Sequence, residues 1–509
     1  MMKQVLRGTA LFSLITPAAM ALELTNPHFE EARRSWQESP LRTADPVLNY
    51  SFNSKIAAGS SVGYTGQIFR QLLMVDLKTA MTSTDRDGAG IRGQYPGVEE
   101  EVVAVFDSYY SYRYDREITS TGMINGFVPF HFLPKDVNGW LAPVLEGTIY
   151  DEIQEEGKQL RNKTAGNDNA LRRGSLKGWN TMEFHGQNLR TQESDSAGDG
   201  FVEPEDLIDA FFRIAADNAV HGLPFTVANG DRAPQMVDKA YVTEDGLDVA
   251  QLTQKLLYGA VSFSQAAIDY LGTGREGKGI LASDSEPYKP GKPYTALEHH
   301  WDEAYGYYGA ARDLPSYTRE QLSAGVSIDS NGDQLISIQS EVNFVMPRNG
   351  AKLDRAAAEP DSRLSYAAWE YLTTGRRLIA EARPGYRDNL ADVATLALGE
   401  WEKSLAARTI HYLNSVIKQM DAYGTDGYLF TTHAKYWGEM KGFGLAMQFS
   451  PVAILSDAAF DKVHRLMGDR PIPGTAGADA VAGYRQDLIA ARNILRDAYG
   501  FSEASASAW

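Results

Sequence analysis

Residues 387–419 contain no proline and are rich in Ala and Leu, as are residues 363–382, and Pro384 stands between the two stretches. Their apolar residues recur three and four positions apart, the period of a helix with a buried face. Two long neighbouring helices must have those faces covered, and further helices are the economical cover. Suitable segments lie at 64–81, 99–113, 203–218, 248–271, 433–449, 458–467 and 480–498. In the first, Ile68, Leu72 and Val75 line one side, with Phe69, Leu73 and Leu77 adjacent. Pro204 suits the first turn of the third. The fourth reads as one long helix or a broken pair. Alternating β-branched runs are scarce. The pattern predicts a mostly α protein, either one large helical bundle or two in succession with a boundary near residue 225.

Residues 1–21 have the pattern of a secretory signal peptide. Lys3 and Arg7 precede a mostly apolar run, and Ala19-Met20-Ala21 supplies small residues for cleavage after Ala21. The expected location is the periplasm. No apolar run reaches the roughly 20 residues that span a bilayer, so the mature chain is not expected to be an integral membrane protein. Residues 22–60 are polar with several prolines and read as an extended segment. N-terminal (61–225) and C-terminal (226–505) helical parts follow, with a Gly-rich surface loop at 158–196. The chain has no cysteine, which excludes disulfides, thiolate metal sites and Cys nucleophiles. A net charge of −17 argues against nucleic acid as a partner.

The chemistry concentrates at 295–309, TALEHHWDEAYGYYG. On a helix, His300 and Glu303 share a face, and so do His299 and Glu303. A neutral imidazole beside a carboxylate is half of a first-row metal site, and Fe, Zn or Mn suits such donors. Asp302 points elsewhere and would serve as an outer partner. His411, His433 and Glu439 would complete the site if three helices converge. The opposing reading is a hydrogen-bonded, packed pair with the other histidines buried locally. A calcium-type loop reads at 329–341. Asp329, Asn331 and Asp333 stand at loop positions one, three and five, and Ile336 at eight. Gln334 occupies position six, where Gly is usual, and Glu341 arrives one residue late. Asp195 and Asp199, with Asp206 at position twelve, form a weaker echo. An Asx-rich turn and a helix-capping loop are the respective alternatives. Phosphate-loop and H-E-x-x-H zinc motifs are absent.

Several segments together resemble one uncharacterised bacterial family, domain of unknown function four-eight-five-six. They are Y64-T-G-Q-I-F-R70, H300-W-D-E-A-Y-G306, D329-S-N-G-D333, S340-E-V-N-F344, W401-E-K403, H411-Y-L-N414 and E439-M-K-G-F-G-L-A-M-Q-F449. Members are exported and often lipid-anchored, whereas this chain lacks the anchoring Cys. The family is similar in style to the imelysin-like proteins, exported helical bundles with a G-x-H-x-x-E motif. Those are linked to iron uptake and, in one branch, to peptidase activity. His300 and Glu303 match the H-x-x-E part, and Glu298 stands where the motif has Gly. The resemblance implies a metal-associated binding protein in periplasmic iron or other divalent metal acquisition. Its partners would be the metal ion and an outer-membrane or periplasmic uptake component. An imelysin-type metallopeptidase with Glu303 as general base is one alternative. A calcium-stabilised interaction scaffold without catalysis is the other.

Overall fold

A computed structural model describes residues 22–43, 45–57, 63–82, 98–111, 159–169, 171–172, 176–180 and 203–509, with two-residue strands at 135–136, 144–145, 183–184 and 187–188. Residues 1–21, Asp195 and Asp199 lie outside the described residues. The helices of the first half are α1 (His28–Glu38), α2 (Thr65–Thr82), α3 (Glu99–Tyr110), α4 (Pro204–Asp217) and α5 (Val249–Leu257). Those that follow are α6 (Ala296–Tyr308), α7 (Arg319–Ala324), α8 (Val345–Ala356), α9 (Ala367–Glu381) and α10 (Tyr386–Asp421). The chain ends with α11 (Phe430–Ala446), α12 (Asp457–Met467), α13 (Ala478–Tyr499) and α14 (Glu503–Ala508). The fold is a mostly α helical bundle. No helix among the described residues is long and apolar enough to cross a membrane.

The long stretches predicted from periodicity are α9 and α10. Gly385, with φ +79°, turns the chain between them just after Pro384. α10 packs against α9 on one side and α11 on the other. Its buried Glu402 accepts hydrogen bonds from the Ile454 and Leu455 amides and from the Tyr499 hydroxyl. One carboxylate thus ties α13 and the 454–455 segment to the central helix. Burial pushes its pKa up to about 7.

A continuous apolar core runs from Phe29 to Trp509, and elements on both sides of residue 225 contribute to it. α2 packs on α5 and α6, and α4 packs on α5.

Three local features depart from the sequence expectations. The segment expected to be extended contains α1, which buries Phe29, Ala32 and Trp36. Pro27 precedes its first turn, where a missing N–H is harmless. The 248–271 stretch is α-helical only to Leu257. Tyr258–Phe263 and Gln265–Tyr270 are wound as π-helix, a geometry that gathers at functional sites. A hairpin, Phe225–Asn229 with Arg232–Val237, turns at Gly230 with φ +57°. Its signal was the two-residue Gly230-Asp231 loop, with Gly at the first central position.

Candidate functional site

α6 is fixed locally at both ends. The Thr295 hydroxyl accepts from the Glu298 amide while the Glu298 carboxylate accepts from the Thr295 amide, a reciprocal cap. Gly309, at φ +73°, stops the helix. The helix then presents two different polar faces, one buried and one half-buried.

The first face carries Glu298 and Asp302. Asp302 does point away from His300, as its spacing indicates, but it meets a cation. Arg376 on α9 places Nε 3.0 Å from Asp302 and Nη2 3.4 Å from Glu298, with all three side chains fully buried. Tyr50 donates to Asp302, and Ser54 and the Lys55 amide donate to Glu298. Asp302 is therefore half of an internal ion pair, not an outer partner to a metal.

The second face, with His299, His300 and Glu303, opens on a cavity of about 560 Å³. Gly306 lets α2 approach closely, since a Cβ there would lie 2.7 Å from Tyr64 and 2.9 Å from Gln67. At that distance the Gln67 amide reaches Glu303 Oε1 at 2.7 Å, and His299 Nε2 stands 3.6 Å from Glu303 Oε2. Burial raises the pKa of Glu303 and lowers that of His300, so His300 is held as the neutral imidazole. The His300 ring makes a backbone hydrogen bond with Gly279, and its buried Nδ1 has no partner. That arrangement leaves a ligand-type lone pair on an oriented ring.

Five basic residues share the wall with that pair: Arg70, Lys163, Lys278, Lys289 and Lys292, against Glu303 as the acid. Arg70 is buried and aimed by the Gln159 and Gly66 carbonyls. Lys163 and Lys278 are paired behind the wall with Asp168 and Asp269. Lys289 and Lys292, both exposed, have no acidic partner among the described residues. Tyr288 and Tyr294 pack on the His299 ring at 4.4 and 4.9 Å between centroids. Such a rim attracts anions. None of these cations was singled out from sequence. A hint lay in the spacing of Lys289 and Lys292 about Gly291, which has φ +81°.

The other histidines do not join this site. His411 packs on Tyr412, and burial, then the Arg408 and Lys352 charges, lower its pKa to about 4. Glu439 lies 3.5 Å from Lys255 and lines a separate cavity. His433 is buried with Nδ1 3.2 Å from the Tyr423 hydroxyl and 3.3 Å from that of Tyr428. The three-helix convergence is thus replaced by local packing. Among the described residues, the trio with ligand atoms within 4.8 Å of one another is Glu99, Asp217 and His221. It is part-exposed and built around a 3.0 Å Glu99–His221 contact.

His433 has a measurable consequence. Burial lowers its folded-state pKa to about 4, so its neutral form stabilises the fold above the unfolded value of roughly 6.5. That stability is lost as pH falls through the window between the two, up to ~3 kcal/mol. Urea unfolding of the wild type is expected to lose more stability from neutral to mildly acid pH than His433→Gln does. Equal losses would contradict the assignment.

The 329–341 loop is internally hydrogen-bonded. Asp329 accepts from the Gly332 and Gln334 amides at 2.7 and 2.8 Å. Asn331 and Asp333 bond each other. Glu341 is buried and accepts from the Ser330, Asn331 and Ser337 amides. Asp206 caps α4 by accepting from the Glu203 amide.

Residues 178–349 match a family described as a domain of unknown function (DUF4856). The matched stretch holds His300, Glu303 and the 329–341 loop, and it is narrower than the 60–450 over which the sequence segments resemble that family. No curated protein and no solved structure matches the chain.

Proposed function

We propose that the chain is an exported binding protein for periplasmic metal acquisition, whose His300 cavity takes an iron, zinc or manganese ion presented as an anionic chelate. The observation that carries this reading is one cavity combining an unpartnered, buried imidazole nitrogen and a carboxylate with a wall of five basic residues, of which Lys289 and Lys292 at the rim have no acidic partner among the described residues. A bare divalent ion would be repelled by that rim. The same ion wrapped in carboxylates carries the charge the rim attracts. His300 and Glu303 offer donors that first-row ions accept, and Gln67 and His299 orient Glu303. The aromatic rings beside His299 give an organic chelator a surface to pack on. The H-x-x-E likeness to imelysin-like proteins points to the same role. The departure at Glu298 has a structural reason, since that residue caps α6 and pairs with Arg376.

The test is metal retention. Untagged mature chain is incubated with ferric, zinc or manganese citrate, with the metal salts, or with citrate alone, then desalted. About one metal per chain is expected from the chelates. His300→Ala is expected to release it, and Lys289→Glu/Lys292→Glu to weaken loading from the chelate. Metal far below stoichiometry, unchanged by His300→Ala, ends the reading.

A second reading concerns the 329–341 loop as a calcium site of structural value. One observation favours it: Gln334 holds φ +71° at the position where such loops place Gly. Calcium at millimolar concentration is then expected to raise the melting temperature, and Asp329→Asn to abolish the rise. No shift leaves a self-sufficient Asx turn.

A further inference from the structure

A second cavity, of about 390 Å³, lies where α5 and its π-wound continuation meet α8, α10 and α11. Its lining carries Lys255, Arg348, Lys352, Arg408 and Lys435 and, as the acid, Glu439. The surplus of positive charge is built into a chain whose net charge is −17. Glu439 is already engaged, 3.5 Å from Lys255, whose ammonium is further held by Gln251 and Gln254 at 2.6 Å each. The remaining four cations have no ion-pair partner among the described residues. Arg408 is buried and stacked over Tyr412 at 4.8 Å, donates Nη2 to that hydroxyl, and leaves its buried Nε without a partner. Burial, then neighbouring cations, push the Lys352 ammonium below its usual value, and burial lowers Arg348. Crowded, partly desolvated like charges destabilise each other, and a bound anion relieves that repulsion. Most of the apolar lining is aromatic, with Tyr412 and Phe443 nearly parallel at 6.0 Å.

We propose that this cavity binds a small multivalent organic oxyanion, with its carboxylate or phosphate groups on Arg348, Lys352 and Arg408 and its uncharged part against Tyr412 and Phe443. A guanidinium takes two oxygens at once, which favours carboxylate and phosphate over halide. The volume falls in the range of small-molecule sites, roughly 300–1,000 Å³. No residue of this cavity lines the His300 cavity, so the two sites stand or fall separately.

The experiment is titration calorimetry of the full mature chain at fixed ionic strength with succinate, citrate, inorganic phosphate and glycerol phosphate, and with chloride as reference. Binding of a carboxylate, a phosphate or both at millimolar concentration or below is expected, and the arm that binds names the class. Lys352→Glu/Lys435→Glu changes exposed residues of the lining and is expected to weaken binding by roughly tenfold or more, with the melting temperature measured beside it. Arg408→Gln is expected to weaken it further, and His300→Ala to leave it unchanged. The proposal is overturned if none of the four anions binds above the chloride reference. It is equally overturned if binding is indifferent to Lys352→Glu/Lys435→Glu.

Discussion

Arg376→Met is expected to destabilise the protein by roughly 3–5 kcal/mol, because it strands two carboxylates in the interior. Arg376, Glu298 and Asp302 are all inaccessible to solvent. Methionine fills most of the arginine volume, so the loss measures charge more than packing. Even with Arg376 in place, burial holds Asp302 at a pKa of about 6. A carboxyl whose folded pKa is raised has its stabilising, protonated form at low pH and loses stability as pH rises from the unfolded value toward the folded one. Without Arg376 that pKa rises further. The deficit of the variant should therefore be larger near pH 8 than near pH 5. Adding Asp302→Asn should recover part of it, since one stranded charge is then removed. Urea denaturation of the four combinations at both pH values decides the matter. A single variant within about 1 kcal/mol of wild type would show that the pair contributes little.

The same pair shows what the sequence allowed and what it withheld. Helix periods and caps are local, so α2, α4, α6, α9 and α10 were readable from spacing and end residues alone. Spacing also put His300 and Glu303 on one face and turned Asp302 away from them. What Asp302 meets is 74 positions further along the chain, and no local rule reaches that far. The cavity rim has the same character. Arg70 comes from α2, Lys163 from the turn after Leu160, Lys278 from the loop before α6, and Lys289 with Lys292 from a later turn. Their convergence is a tertiary fact. The displacement of His411, His433 and Glu439 is its mirror image: each residue type suited a ligand, and packing kept all three away from the His300 cavity. α1 was missed for another reason. Its prolines flank the helix, and their number outweighed the buried Phe29, Ala32 and Trp36 spacing.

Gly375→Ala and Gly483→Ala are the same chemical change in two helices and are expected to have opposite signs. A Cβ on Gly375 would lie 1.9 Å from the Trp301 ring. That ring cannot swing aside cheaply, because it is fully buried and its Nε1 donates to the Leu372 carbonyl at 2.7 Å. α6 and α9 must separate to admit the methyl, at a cost of about 1–3 kcal/mol for overpacking. Trp301 follows His300 in the chain, so the displacement passes into the His300 cavity. Retention of metal from citrate should fall in this variant along with the melting temperature. Gly483 lies within α13 with nothing within 4 Å of its added Cβ. There alanine removes backbone freedom from the unfolded chain and should stabilise by up to ~1 kcal/mol. Thermal unfolding of both variants, with metal retention measured beside it, separates close approach from helix propensity. If Gly375→Ala melts at or above the wild-type temperature, the tight α6–α9 contact does not hold the site helix in place.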